Sequence, residues 1–448
     1  MDVTETPDLK QLLESRNTKE LHSALTKMKA VDIALFLDDL EIKDVAFIFR
    51  VLPKVLSAKV YAYLPLEKQT ALTTLYTESE TIDLLDRLYM DDLADVLEEL
   101  PANLVGKILK NATPEKREVL NMLLQYSDDS AGSIMTVEYV HFRKTMKVRD
   151  AIKKLRQSGE TTETIYTCFV TDKNRYLEGT VSIQALLSAS DDTFIDNIMD
   201  KSPISASTSD DREEVAKLFQ KYDFTSMAVV DNENRLVGII TIDDIFDVLT
   251  EEITEDIAKM SAVSPSETPY LKTPVLVHVK NRIPWLLFLM VSGMISGFIL
   301  QRYQKVFELV PILVSFIPML TDTGGNAGSQ SSGLLIRGIS LDEVGIKDIL
   351  TVIWKELRIG FLVGIALTLI NYFRLYFTID QNSAKIALTV SLAMIATVMM
   401  AKVMGGILPL LAKKIGLDPA IMSAPLITTT VDAASLVIFF NIAKIILV

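Results

Sequence analysis

The sequence predicts a multidomain protein: an α-helical superhelix (solenoid), two α/β units in tandem, an acidic connecting helix, and an all-α membrane domain of five transmembrane helices. Three observations predict it. Leucine-ended amphipathic units recur about every 12 residues over the first 130 positions. One β-α-β pattern occurs twice between residues 131 and 250, and nearly every long uncharged stretch falls after Arg282. A mean hydropathy of +0.29 is high for a chain with 58 acidic and 45 basic residues, so its apolar residues must be concentrated in one part.

The net charge of -13 arises mainly before that apolar part. It argues against nucleic acid as a partner and for solvated cations or basic surfaces. A single cysteine, Cys168, excludes an intramolecular disulfide framework and suits a reducing cytosol. His22, His141 and His278 are too scattered to build a histidine metal site. The opening Met1-Asp-Val-Thr-Glu-Thr-Pro is acidic and polar, unlike a signal peptide. We therefore expect the N-terminal part to stay in the cytosol.

Residues 1–130 carry the repeat. Leu40, Leu52, Leu64, Leu75, Leu88 and Leu100 end units such as Asp32-Ile-Ala-Leu-Phe-Leu-Asp-Asp-Leu40 and Asp92-Leu-Ala-Asp-Val-Leu-Glu-Glu-Leu100. Two or three helical turns cannot bury an apolar face alone, so neighbours must stack. Pro53, Pro65, Pro101 and Pro114 fall where helices should start. The acidic pairs Asp38-Asp39 and Asp91-Asp92, with Asp95, are either helix caps and solvated faces or a surface that meets another acidic surface across a bridging cation.

Residues 131–200 and 201–250 are the two copies. The second runs through a helix at Glu213–Tyr222, a strand at Ser226–Val230, a turn, a strand at Val237–Thr241 and a helix opening at Ile242. The first repeats this order through Val148–Arg156, Thr167–Val170 and Thr180–Leu186. The pair resembles tandem CBS domains, a regulatory module that often binds adenosine nucleotides. In that family a Ser/Thr-x-x-Asp at the last strand–helix junction holds the ribose. Thr241-Ile-Asp-Asp244 matches it, while Ser182-Ile-Gln-Ala185 has lost the carboxylate. The resemblance thus implies a single site for ATP or a related adenine nucleotide, at Thr241 and Asp244; simple helix capping is the alternative for the same residues.

Residues 243–270 read as an acidic helix. Asp243, Asp244, Asp247, Glu251, Glu252, Glu255 and Asp256 precede the first basic residue, Lys259. Asp244, Asp247, Glu251 and Glu255 share one face, and like charges at that spacing oppose the helix. With no matching basic segment in the chain, divalent cations are the economical counter-charge. Oxygen-only ligands with retained water suit magnesium.

From residue 282 to 448, apolar segments at 283–300, 306–333, 357–378, 385–411 and 420–447 are each long enough to span a bilayer. Five spans from a cytosolic start leave the C-terminus outside. Lys272, Lys280, Arg282, Arg337, Lys347, Lys355, Arg358, Lys413 and Lys414 then lie inside, against Arg302, Lys305, Arg374 and Lys385 outside. Within the second segment, Pro318-Met-Leu-Thr-Asp-Thr-Gly-Gly-Asn-Ala-Gly-Ser-Gln-Ser-Ser-Gly333 is too polar to face lipid and must pack on protein or line water. Its small residues let helices approach closely. In the fifth, Asp432 follows Pro425-Leu-Ile-Thr-Thr-Thr-Val431. A carboxylate at that depth costs roughly 2.5–3.5 kcal/mol unless it faces water or a cation. It reads as part of an ion pathway, with neutralisation by Lys402 as the alternative.

The acidic segment Leu249-Thr-Glu-Glu-Ile-Thr-Glu-Asp-Ile257, the second-segment motif and Pro425–Asp432 resemble the MgtE family of magnesium channels, over essentially the whole chain. The resemblance implies a homodimer in the cell membrane, in contact with lipid, that imports Mg2+ past Asp432. Magnesium gives up water reluctantly, so it would pass hydrated, held near Gly325, Asn326, Gly328 and Thr428. Asp322 serves either as a helix cap or as an ion attractor. The family's plug helix implies closure by cytosolic Mg2+ bound to Asp91, Asp95, Asp247, Glu251, Glu252, Glu255 and Asp256. Transport of Co2+ or Mn2+, or a membrane-anchored nucleotide or metal sensor, are the alternatives. No nucleophile–base constellation or cofactor fingerprint suggests an enzyme.

Overall fold

Helix starts in the first part of the chain are set by residues that cannot continue a preceding helix or that cap a new one. The computed structural model describes residues 9–158, 162–266, 270–378 and 383–447. It places ten short helices first: α1 (Leu9–Glu14), α2 (Thr18–Leu25), α3 (Ala30–Asp38), α4 (Ile42–Val51), α5 (Lys54–Ala62), α6 (Leu66–Leu75), α7 (Glu78–Leu85), α8 (Met90–Glu99), α9 (Ala102–Asn111) and α10 (Pro114–Leu123). Pro53, Pro65 and Pro101 occupy the caps of α5, α6 and α9, and Pro114 opens α10. A proline has no amide to lose at these positions. Thr77 and Glu80 form a reciprocal capping box on α7.

Most of these helices pack on the next but one: α2 on α4, α3 on α5, α4 on α6, α5 on α7, α6 on α8 and α8 on α10. This alternation stacks the apolar faces into one continuous core, with Leu21, Ile33, Leu37, Ile48, Tyr61 and Leu72 fully buried. Of the repeat leucines, Leu52, Leu64, Leu88 and Leu100 are buried, whereas Leu75 is 46 % exposed.

The two copies form three-stranded sheets of the same design. The first contains β1 (His141–Phe142), β2 (Thr167–Thr171) and β3 (Leu177–Ser182); the second contains β4 (Ser205–Ser207), β5 (Ser226–Val230) and β6 (Leu236–Thr241). In both, the first strand is parallel to the second and the second antiparallel to the third. Both hairpins even shift register at the corresponding place, Val170/Thr171 and Val229/Val230. Helices α11 (Val148–Ser158), α12 (Ile183–Ser188) and α13 (Arg212–Tyr222) complete them.

The segments leading into the sheets are exchanged. Thr136, ahead of β1, pairs with Ile239 on β6, and Asp200, ahead of β4, pairs with Thr180 on β3. Phe169 and Leu177 share a core with Ala228, Val230, Leu236 and Ile239. The copies therefore fold as one body.

Helix α14 (Ile242–Met260) follows, and the chain divides into two units between Leu249 and Thr250 within it. It stops short of the expected 270, with Ala262 in the left-handed region at φ 52°. The second unit is helical: α15 (Val275–Arg302), α16 (Gln304–Leu309), α17 (Ile317–Ser340), α18 (Ile349–Thr378), α19 (Ser383–Lys414) and α20 (Ala424–Leu447). Among the described residues, three segments, Val275–Arg302, Ala384–Lys414 and Ala424–Leu447, are long and apolar enough to cross a membrane.

The second expected segment, 306–333, is not one helix. It breaks after α16 into a 3-10 turn, Pro311–Phe316, and resumes as α17, which runs on to Ser340. Pro311 and Pro318 each sit in the first positions of an element, because neither offers an amide to the turn before it. The core here is formed by residues such as Val390, Val398, Ile427, Val431, Phe439 and Phe440. No residue of α15 is buried.

Candidate functional site

In the first unit two acidic helix starts belong to one electrostatic cluster. Asp91 and Asp92 lie in the first turn of α8, and Asp243 and Asp244 in the first turn of α14. Helix N-termini favour carboxylates through their free amides and dipole. Asp91 Oδ1 accepts from the Asp92 amide at 3.0 Å. Thr241 Oγ1 lies 2.5 Å from Asp243 Oδ1 and 2.7 Å from Asp244 Oδ2. Glu138 accepts from Thr136 Oγ1 at 2.7 Å. Glu163 Oε2 is buried with no hydrogen-bond partner among the described residues.

These carboxylates raise one another's pKa. Burial, then Asp244, Asp92 and Glu163, pushes Asp91 well up. Burial with Asp243 and Glu138 takes Asp92 to about 6. Burial takes Asp244 to about 6 despite its bond from Thr241. Glu163 reaches about 8 through burial and the charges of Asp243, Asp244, Asp92 and Glu138. Asp247 is raised by burial and by Asp243. Every charge that acts strongly on these five is negative, so the cluster is short of positive charge and suited in chemistry to a hard divalent cation. Among the described residues no group of three or more His, Cys, Asp or Glu side chains is gathered tightly enough to hold a metal ion as it stands.

Sequence reasoning singled out Asp91, Asp95, Asp244 and Asp247. The structure brings Asp91 and Asp244 together and leaves Asp95 exposed on α8. It adds Glu138 and Glu163, which no spacing rule could have joined to α8 and α14. Further along α14, Lys259 Nζ lies 2.7 Å from Glu255 Oε1 and 2.7 Å from Asp418 Oδ2. Asp418 had no sequence signal.

In the second unit α17 packs on both α19 and α20, and glycine permits the approach. A Cβ at Gly325 would overlap Thr428 Cγ2, and one at Gly328 would come within 2.7 Å of Ile427 Cγ2. A Cβ at Gly405 of α19 would run into the Gly328 carbonyl, a backbone contact that cannot yield. Asp322 and Asn326 are exposed on α17, while Asp432 on α20 is partly exposed and close enough for Asp322 to act on it electrostatically. Thr429 Oγ1 and Thr430 Oγ1 donate to the Pro425 and Leu426 carbonyls at 2.8 Å, and Thr428 Oγ1 donates to the Ala424 carbonyl. Their lone pairs are left as acceptors.

The structure corrects the alternative assigned to Lys402. This lysine is 6 % exposed, its Nζ donates to Gln330 Oε1 at 3.1 Å, and the charge acting on it is Glu356 rather than Asp432. Buried Glu356 itself accepts from Ser331 Oγ at 2.6 Å. Lys402 lies on α19 with its partners on α17 and α18, which leaves Asp432 without that neutralising ammonium.

A family model described as divalent cation transporter matches residues 317–442; an MgtE intracellular N domain matches 28–129, and CBS domains match 131–192 and 195–251. The magnesium transporter MgtE of Thermus thermophilus is 33 % identical over 443 residues, 98 % of each chain. That of Bacillus subtilis is 33 % identical over 427 residues, 93 % of this chain and 94 % of the relative. A crystal structure of the cytosolic domain of the Mg2+ channel MgtE in complex with ATP matches 55 % of this chain and all of its own, at 33 % identity and a TM-score of 0.52. The soluble part of a magnesium transporter matches equally well at 30 % identity, over 96 % of its length. With near-complete coverage of two relatives and matches along both units, the chain belongs to the MgtE family of magnesium transporters.

Proposed function

We propose that the chain is a magnesium-selective, homodimeric channel that imports Mg2+ across the cell membrane and is closed by Mg2+ on its cytosolic side. The observation that carries this reading is Asp432: a partly exposed carboxylate on an apolar helix, packed through glycine against a polar helix and left without Lys402 as a counter-ion. Its position beside Asp322 supplies two negative charges for a hydrated cation, with Asn326, Thr428 and the backbone near Gly325 and Gly328 as further oxygen ligands. The wholly unburied apolar α15 fits lipid contact, and all five long helices are read as spans with the first unit cytosolic and the C-terminus outside.

The switch in this reading is the repelling carboxylates. Ions bound by Asp91, Asp95 and Asp247, with the newly found Glu138 and Glu163, and by Glu251, Glu252, Glu255 and Asp256 favour the closed arrangement. Several ions each adding differential affinity give a steep response. An adenine nucleotide using Thr241 and Asp244 would engage a member of the same cluster, linking nucleotide to ion sensing; the relative's cytosolic domain bound ATP.

The test is Mg2+ flux into liposomes with the first unit facing outward, over a range of external Mg2+. Wild-type flux should fall as Mg2+ on that side rises, and the Asp91→Asn, Asp247→Asn double variant should need about tenfold more Mg2+ for the same closure. Wild-type flux indifferent to Mg2+ on that side contradicts the switch.

A further inference from the structure

Helix α14 places Glu255 and Lys259 four residues apart on one face. The Lys259 ammonium, a compact point charge with three donors, bonds Glu255 Oε1 and Asp418 Oδ2, each at 2.7 Å. These side chains are 25 %, 38 % and 29 % exposed for Lys259, Glu255 and Asp418, so the contact is partly sheltered from water.

Asp418 is occupied on both sides. Its Oδ1 accepts from the Ala420 amide at 2.8 Å and caps the 3-10 turn Pro419–Met422. The Met422 carbonyl accepts from Ser332 Oγ of α17, and α20 begins two residues later at Ala424. Asp432 is eight residues on, about 12 Å along the helix. A continuous chain of bonds thus runs from α14 through Lys259, Asp418 and the turn to α17 and the start of α20.

We propose that Lys259 is a built-in cation that fastens the acidic helix α14 to the Asp418 turn at the head of α20, giving the closed arrangement a component that needs no divalent ion. Lys259 and Asp418 are positioning residues. Where this tether is made, Glu255 is held by the Lys259 ammonium in place of a divalent ion, and divalent ions act at the other carboxylates of α14. Only the consequence for flux rests on the gated-channel reading.

The experiment uses the full chain in liposomes with Lys259→Met, Asp418→Asn and the charge-exchanged pair Lys259→Asp with Asp418→Lys. Hydrogen exchange of residues 250–260 is read first, because it does not depend on conduction. Each single variant should exchange about threefold to tenfold faster than wild type, and the exchanged pair should return to within about twofold of it. In flux, each single variant should raise the Mg2+ concentration for half-closure by the same factor, with recovery in the pair. Single variants that exchange like wild type, or a pair no better than the singles, overturn the tether whatever the flux. Faster exchange and recovery in the pair, with no flux from any form including wild type, uphold the tether and overturn the channel reading instead.

Discussion

The two polar regions of this molecule are built on opposite principles. Where α17 meets α19 and α20, contact is complementary: Gly325 receives Thr428, Gly405 receives the Gly328 carbonyl, and Glu356 and Lys402 are buried with bonds to Ser331 and Gln330. Where α8 meets the start of α14, contact is unfavourable to charge: burial raises the pKa of Asp91, Asp92, Asp244 and Glu163, neighbouring carboxylates raise it further, and none has a strong positive neighbour. The first region is arranged to hold one geometry. The second changes its energy whenever a proton or a cation arrives, which is what a sensor requires.

The comparison can be broken most severely at Gly405. Gly405→Leu drives a side chain into the Gly328 backbone and should cost about 3 kcal/mol, at the upper end of overpacking. The expected result is a fall in thermal stability of the detergent-solubilised protein and loss of flux. A variant as stable as wild type would mean that α17 and α19 need no such close approach.

Glu163→Gln sharpens the other side. The folded state binds the Glu163 proton more tightly than the unfolded chain, with a pKa of about 8 against 4.5. Stability in the absence of divalent ions therefore falls as pH rises from about 4.5 to about 8 and then levels off. Replacing the carboxyl should remove much of that slope and stabilise the first unit by about 2 kcal/mol at pH 8, a figure discounted for the side chain's contact with solvent. Hydrogen exchange of α8 against pH measures it. A slope as steep in the variant as in wild type would place the repulsion elsewhere.

The smallest effect separates two residues on one helix. Asp91→Asn should weaken Mg2+-dependent closure by about threefold to tenfold, whereas Asp95→Asn, whose exposed carboxylate holds its ion more weakly, should weaken it by only about twofold. Equal effects would show that the ions sit on the exposed face of α8.

Much of this architecture was legible in the sequence because it depends on local pattern. The strand Ser226–Val230 appears with its expected limits, the helix at Glu213–Tyr222 begins one residue earlier, and the four prolines mark helix starts as their missing amides require. The second apolar segment was misdrawn because hydropathy does not register that Pro311 and Pro318 end helical hydrogen bonding, while those prolines do. The exchange of Thr136 and Asp200 between sheets is a pairing at long range that no periodicity encodes. The site residues divide the same way. Asp432 stands out in the sequence as a candidate by its depth in an apolar run, whereas Glu138, Glu163, Glu356 and Asp418 become candidates only through charged or bonded neighbours far away in the chain.

The most direct measurement is Mg2+ flux through wild type and Asp432→Asn, reconstituted with the first unit outward and assayed at low external Mg2+. The account predicts robust wild-type flux and a loss of at least about tenfold in the variant, whose amide keeps the shape and removes the charge. Equal flux through the two proteins would contradict the central claim that Mg2+ crosses the membrane against the Asp432 carboxylate.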